Sequence, residues 1–282
     1  MKSVVVTGAS TGIGWGCCKV LIKKGFRVFG SVRSETDAKR LASEFGANFS
    51  PLLFDVTDAK AVKAAATAVE AALKGEPLFG LVNNAGIAVA GPLLYLDLDE
   101  FRRQLDVNVT GQFIVTQAFA PLLMAKNGAK PGRIVMISSV GGKNANPFMG
   151  PYCASKFALE GFSESLRREL MLFGIDVIVI APGAVATPIW SKAEQIDITR
   201  YANTPYASAL DNILKYMLEI GRHGLKPEKL GRVVWRALTL PHPKVRYTVT
   251  PDKVQQVMLA VLPKRTVDRI VAGRLGLAPK KT

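Results

Sequence analysis

Tyr152 is followed four residues later by Lys156. On a helix that spacing puts both side chains on one face. A free tyrosine ionises near pH ~10, and an ammonium beside it stabilises the phenolate and lowers that value. The phenol can then serve as a general acid toward a carbonyl or a general base toward an alcohol. Alone, such a pair is a common surface feature of helices. A second group lends it weight: Thr7-Gly8-Ala9-Ser10-Thr11-Gly12-Ile13-Gly14, lying between a β-branched run and a helical pattern. Glycines there let the backbone approach a pyrophosphate, and the helix start beyond offers unpaired N–H groups and a positive dipole end. The cysteines, Cys17, Cys18 and Cys153, show no metal-site spacing, and the two histidines, His223 and His242, stand apart, so no metal site is expected.

The elements that must position these groups alternate along the chain. Short apolar runs predict strands at Ser3–Val6, Arg27–Val32, Ser50–Asp55, Phe79–Val82, Arg133–Ile137, Asp176–Ile180 and Val245–Thr250. Helical patterns predict helices at Gly14–Lys24, Asp37–Phe45, Asp58–Lys74, Asp99–Lys126 and roughly Tyr152–Phe173, with Gly25 and Gly174 as stops. This alternation predicts an α/β fold: one doubly wound, Rossmann-like parallel sheet with helices on both faces. The more polar stretch 186–225 breaks the rhythm and reads as a substrate-binding insertion above the sheet. Residues 251–282 form a basic helical extension broken at Pro263.

The motif spacing resembles that of the short-chain dehydrogenase/reductase family, and the likeness runs through most of the chain. Besides the glycine segment, Asn83-Asn84-Ala85-Gly86 is similar to the family's motif after the fourth strand, and Asn108 to its catalytic asparagine. Ser139, Tyr152 and Lys156 match its Ser…Tyr-x-x-x-Lys set. Pro182-Gly183, with Val185 and Thr187 after it, matches its nicotinamide-binding turn. The resemblance implies an enzyme that moves a hydride between NAD(P) and a carbonyl or alcohol. Ser139 would donate a hydrogen bond to the substrate oxygen, Tyr152 would exchange the proton, Lys156 would tune it, and Asn108 would kink its helix and hold a water in a proton relay. Consecutive strand-end residues point opposite ways, so only one of Ser138 and Ser139 faces the site, and the spacing selects Ser139. The implied cofactor contacts are Gly8, Ser10, Thr11, Gly12, Ile13, Gly14, Asn83, Ala85, Gly86, Tyr152, Lys156, Pro182, Gly183, Val185 and Thr187, with Asp55 and Val56 at the adenine.

NAD-preferring members usually carry an acid at the end of the second strand, where this chain has Val32 followed by Arg33. An arginine there can pair with a 2′-phosphate, which favours NADP(H) over NAD(H). Thr11 departs from the basic residue that many NADP enzymes of the family hold in the glycine loop. The phrases Lys24-Gly25-Phe26-Arg27-Val28-Phe29 and Asn146-Pro147-Phe148-Met149-Gly150-Pro151-Tyr152 are similar to the branch of retinol, 17β-hydroxysteroid and 3-hydroxybutyrate dehydrogenases. Their substrates are mostly secondary or allylic alcohols and the matching carbonyls. Phe148, Met149, Ile189 and Trp190 predict an apolar pocket, while Lys143 could meet a carboxylate. A 3-oxoacyl-thioester ketoreductase and a low-turnover NADP-binding scaffold or redox sensor are the alternatives. The complete Asn-Ser-Tyr-Lys set argues against the latter.

With 37 basic and 22 acidic residues the chain carries a formal charge of +15. Such a charge attracts anions in general, but no nucleic-acid-binding signature accompanies it. The expected partners are a small-molecule substrate and further copies of the chain, a dimer or tetramer implied by the resemblance. No run is long enough to span a bilayer, and the first strand follows Lys2 at once, so the protein is expected in the cytoplasm. Val254, Val257, Met258, Val261 and Leu262 recur at helical spacing ahead of Lys264 and Arg265. Such a stripe could touch a membrane, but packing against the protein itself is its ordinary origin.

Overall fold

A computed structural model describes residues 1–187, 198–251, 258–259 and 261–278. Seven parallel strands form one sheet in the order β3-β2-β1-β4-β5-β6-β7. They are β1 Ser3–Val6, β2 Arg27–Val32, β3 Phe49–Leu53, β4 Gly80–Asn83, β5 Arg133–Ile137, β6 Asp176–Pro182 and β7 Arg246–Val249. Side chains alternate across each strand, and the alternation divides the core. Val4 and Val6 enter one apolar cluster with Cys17, Leu21, Leu230 and Val234, whereas Val5 enters the opposite one with Phe119, Leu123 and Leu159. Each fully buried aliphatic side chain contributes roughly 1.5–3 kcal/mol. A one-residue slip of β1 would exchange its two faces, so packing on both faces pins its register.

The helices that pack on these faces are α1 Gly12–Lys23, α2 Glu35–Phe45, α3 Ala59–Leu73, α4 Leu98–Leu105, α5 Gly111–Phe119 and α6 Gly150–Glu169. Beyond them come α7 Ala207–Arg222, α8 Pro227–Thr239 and α9 Lys264–Leu275. Asp58 caps α3 by accepting from Lys60 N and Ala61 N, each at 3.0 Å, as its short carboxylate suits it to do. The helix expected over Asp99–Lys126 is not continuous. It runs as α4, then a π turn at Asp106–Thr110, then α5, and closes with a 3₁₀ turn at Ala120–Leu123. Pro121 has no N–H to continue the α-helical pattern. The π turn is marked by Gly111 N bonding back to Asp106 O.

The break in rhythm after β6 is a closed excursion. Its ends are pinned where Ala186 N donates to Leu225 O and Leu225 N to Ala184 O, both at 2.9 Å. Between them lie a 3₁₀ turn at Thr199–Tyr201 and α7. Ile189 and Trp190, assigned to the pocket from sequence, fall outside the described residues, as do Val254 and Val257. No helix among the described residues is long and apolar enough to cross a membrane.

Candidate active site

The glycine segment leaves β1 at its carboxyl end, where β1 and β4 lie side by side. Thr7 joins the two strands: its Oγ1 accepts from Asn84 N at 2.9 Å and from Ala85 N at 3.0 Å. Gly8 and Gly12 adopt φ of +65° and +58°, conformations that cost a side-chain-bearing residue free energy. A Cβ on Gly14 would stand 2.1 Å from Gly8 O, so the loop folds back on itself only with glycine there. Thr11 occupies the cap position of α1 without a side-chain cap bond, and the first turn holds no acid. Ile13 leans on the core. Uncapped N–H groups at a helix start, on a backbone stripped of side chains, suit a diphosphate. The residues present therefore fit a dinucleotide. Among the described residues no cluster of His, Cys, Asp or Glu is placed to hold a metal ion.

Beside this loop, Arg33 Nη1 lies 3.7 Å from Asp55 Oδ2. Partial burial pushes the Asp55 carboxyl up, but bonds from Thr57 and the Arg33 charge outweigh it and hold the group below its ordinary value. Val56 is buried and seats against Gly111. A second cation stands here that the motif reading passed over. Arg40, from α2, donates to Ser10 O at 2.8 Å while pairing with Asp37 at 2.7 Å. Thr11 left the glycine loop without a basic residue, and Arg40 reaches that loop from a helix instead. On the other side, the strap after β6 returns to the loop. Pro182 ends the strand, Gly183 N bonds Val249 O at 2.9 Å, and Val185 is buried. Thr187 comes close enough that a Cβ on Gly12 would meet its Cγ2 at 3.1 Å.

The chain leaving β4 is held by three amide side chains at positions 104, 108 and 112. Gln104 accepts from Val89 N at 2.6 Å and donates to Ile87 O at 3.0 Å. Asn108 accepts from Ile87 N at 2.8 Å and donates to the same Ile87 O at 3.0 Å. Gln112 donates to Ala85 O. Alternate residues of an extended segment thus meet successive turns of α4, the π turn and α5. Gly86 lies against Asn108, where a Cβ would stand 3.1 Å from Oδ1. Asn83 lies beneath this segment. Its side chain is wholly buried and bonds Thr116 Oγ1 at 2.8 Å, turned into the core below the loop. Gln104, Gln112 and Ser155 carry no motif and were missed from sequence.

Asn108 also reaches α6, donating to Ser155 Oγ at 3.0 Å, and Ser155 in turn donates to Tyr152 O at 2.7 Å. Ser139 follows β5 and accepts from Gly141 N at 3.0 Å. Its side chain and that of Tyr152 both border Gly141, where a Cβ would stand 3.4 Å from Ser139 Oγ and 3.4 Å from Tyr152 Cε1, whereas Ser138 Oγ is buried without a partner among the described residues. Ser139, not Ser138, therefore meets the tyrosine. Lys156 is 5% exposed and donates to Ile137 O at 2.9 Å, with Nζ 5.8 Å from the Tyr152 ring centroid.

The spacing alone led to a lowered Tyr152, and this arrangement differs. Burial raises the phenol above its ordinary value, Ser139 draws it down, and Cys153 adds to the rise. Lys156 is spent elsewhere: burial lowers its own pKa to about 8, partly opposed by Glu160, and its ammonium is turned to a carbonyl. Glu160 is itself held by Arg246 at 3.0 Å.

Next to Met149, just before α6, lies a chamber with walls from Ala90, Gly91, Phe148, Met149, Leu210 and Ile213. Phe148 is buried and holds a positive φ of 63°, so the apolar lining expected of Phe148 and Met149 is present. Lys143 lies at the surface and is not part of that lining.

Residues 2–197 match the family model for short chain dehydrogenases. The chain is 38% identical over 272 residues to an NADPH-dependent 3-dehydrocapnine reductase of Ornithobacterium rhinotracheale, with 96% of each chain covered. It is 36% identical over 282 residues to human retinol dehydrogenase 5, covering 95% of this chain and 87% of that one. Among solved structures, a short-chain dehydrogenase from Streptomyces avermitilis superposes with a TM-score of 0.73 at 25% identity, over 96% of this chain and 94% of the other. With the parallel sheet, the glycine loop and the Ser139–Tyr152–Lys156 constellation, these likenesses establish the chain as an oxidoreductase of the short-chain dehydrogenase/reductase family.

Proposed function

We propose that this protein interconverts a carbonyl and a secondary or allylic alcohol on an apolar, lipid-like substrate, using NADP(H) in preference to NAD(H). The observation that carries this reading is the placement of Ser139 and Tyr152 side by side against Gly141, with Ser139 drawing the phenol down, beside an apolar chamber. When bound, the nicotinamide supplies or accepts the hydride. Tyr152 gives its proton to the substrate oxygen as charge builds there and takes it back in the reverse direction. Ser139 donates to the same oxygen, where a fixed dipole stabilises charge without reorganising. The phenol, raised above its ordinary value, is protonated at neutral pH and can act as the acid in the reductive direction. Lys156 and Asn108 act by position, the one behind Tyr152 and the other through Ser155.

The residues that would hold the cofactor are the glycine segment with Ser10 and Thr11 at its phosphates, Asp55 and Val56 at its adenine end, and the strap of Val185 and Thr187 over the loop. Arg33, paired with Asp55, and Arg40, bonded to Ser10 O, are the cations beside the glycine loop that would meet a 2′-phosphate, and guanidinium groups suit phosphate oxygens. The reductase relative is NADPH-dependent by name, in keeping with that assignment. The excursion after β6 would serve as the substrate lid of the same Rossmann domain. Phe113 on α5 and Phe157 on α6 are each 46% exposed, which supports self-association through those helices.

The test is NADPH oxidation with long-chain ketones, steroid and retinoid carbonyls, hydroxy-acid precursors and 3-oxoacyl thioesters. Apolar carbonyls should be reduced, and Tyr152→Phe should lower kcat by about 100- to 10,000-fold while NADPH titrates the variant as it does the wild type. Full turnover in that variant would remove the assignment, and better use of NADH would remove the role of the two arginines.

A further inference from the structure

Tyr201 stands out within the chamber. It is 2% exposed, it lines the cavity, and its hydroxyl meets no hydrogen-bonding partner among the described residues. Buried polar groups are nearly always paired, and phenylalanine would fill the same space without an unmet donor. The residue is also firmly held. It ends the 3₁₀ turn Thr199–Tyr201, its N–H bonds Ile198 O at 3.0 Å, and its carbonyl accepts from Thr204 Oγ1 at 2.8 Å. Arg200 lies over its ring with the guanidinium carbon 4.7 Å from the centroid, and is anchored in turn to Glu100 of α4 at 2.8 Å. The Arg200 guanidinium lies near enough to the hydroxyl to draw its pKa down, yet among the described residues no donor or acceptor meets it in hydrogen-bonding geometry. Room for it is left by Gly91, where a Cβ would stand 2.6 Å from the Tyr201 oxygen.

The chamber has a definite relation to the reacting groups. Met149 is the last residue before α6, which carries Tyr152, and Ala90-Gly91 continues the segment held by Gln104 and Asn108. A substrate whose carbonyl met Ser139 and Tyr152 would reach this chamber by extending past Met149. We propose that Tyr201 is a specificity residue whose hydroxyl hydrogen-bonds a second, neutral oxygen function on that otherwise apolar remainder, away from the carbonyl that reacts. The proposal rests on the reading of Ser139 and Tyr152 given above. Neutrality follows from the surroundings: the Arg200 charge is already matched by Glu100, and burial keeps the phenol un-ionised. A carboxylate would find no uncommitted cation at the hydroxyl.

Two matched probe pairs test this. One is a long-chain methyl ketone with and without a terminal hydroxyl. The other is a ketosteroid with and without a hydroxyl on the ring farthest from the ketone. In at least one pair, wild type should prefer the hydroxylated member, and Tyr201→Phe should lower kcat/KM for it about tenfold, equivalent to about 1.4 kcal/mol, chiefly through KM. The plain ketone should change less than about twofold, and the thermal midpoint of the variant should stay level or rise, because a hydroxyl without a partner holds nothing together. Equal effects on both members of each pair, or a marked fall in thermal midpoint, would overturn the proposal. Calorimetric titration of the same probes into the NADP-saturated protein separates the two levels of inference. If no ketone turns over, the acid/base reading fails. The Tyr201 proposal stands only if the variant still loses binding preference for the hydroxylated member, and falls if it does not.

Discussion

Lys156 shows how one residue can be costly to the fold and useful to the site. Its ammonium is taken from water and given a single carbonyl in return, Ile137 O. Desolvation brings its pKa from 10.5 to about 8, with Glu160 opposing. Below about 8 the lysine is charged in both folded and unfolded chains, and the fold bears the full cost of burying the charge. Between about 8 and 10.5 the unfolded chain keeps a proton that the folded chain has released, so stability rises with pH across that window. The most this can amount to is about 3 kcal/mol. Replacing Lys156 with Met removes the dependence. Urea unfolding of both proteins below and above pH ~8 should show wild type gaining on the variant as pH rises, while the variant loses most of its carbonyl reduction at either pH. Parallel stability profiles would mean that the ammonium is better solvated than its burial indicates.

Among the elements, the break between α4 and α5 matters most. A π turn adds a residue to one turn of helix, and here it contains Asn108, with Gln104 before it and Gln112 after it. All three amides face the chain leaving β4. Gln104→Ala would leave the half-buried Val89 N–H without its acceptor, at a cost of about 1 kcal/mol. Amide exchange at Val89 should then quicken severalfold, with Ile87 changing less because Asn108 still holds it. Unchanged exchange at Val89 would show that the segment is held by other contacts. This clamp also marks where sequence reading ran out. Strands such as Arg27–Val32 and Arg133–Ile137 are found where expected, because burial on both faces demands unbroken apolar runs. Tyr152 and Ser139 were legible because motif spacing transmits their geometry. Gln104 and Gln112 were not, since a glutamine on a helix reads as a solvated residue until its packing is known. Tyr201 was hidden for a similar reason, on an excursion with no periodic signal, and Arg40 because it approaches the glycine loop from outside the motif.

For the molecule as a whole, the excess of positive charge and the apolar C-terminal stripe pose one question: whether that region faces a lipid surface or the protein. The two sides of α9 differ. Lys264, Arg265, Arg269 and Arg274 are exposed, while Leu275 is buried in the cluster of Phe148, Tyr201, Leu210 and Ile213, with Val271 and Leu277 against it. The inner side of the helix therefore packs with residues that wall the chamber, and Ile270 on the outer side is 45% exposed. Leu275→Ala should cost about 2–5 kcal/mol and raise KM for long apolar ketones, because it loosens a wall of the same cluster. Ile270→Ala should shift stability by less than about 0.5 kcal/mol and leave kinetics alone. If α9 instead served as a lipid contact, the pattern would invert. Intact protein would float with anionic vesicles at physiological salt, Ile270→Ala would release it, and Leu275→Ala would not. Packing of Leu275 beneath Tyr201 and Phe148 argues for the first pattern, with the intact protein remaining in the aqueous fraction.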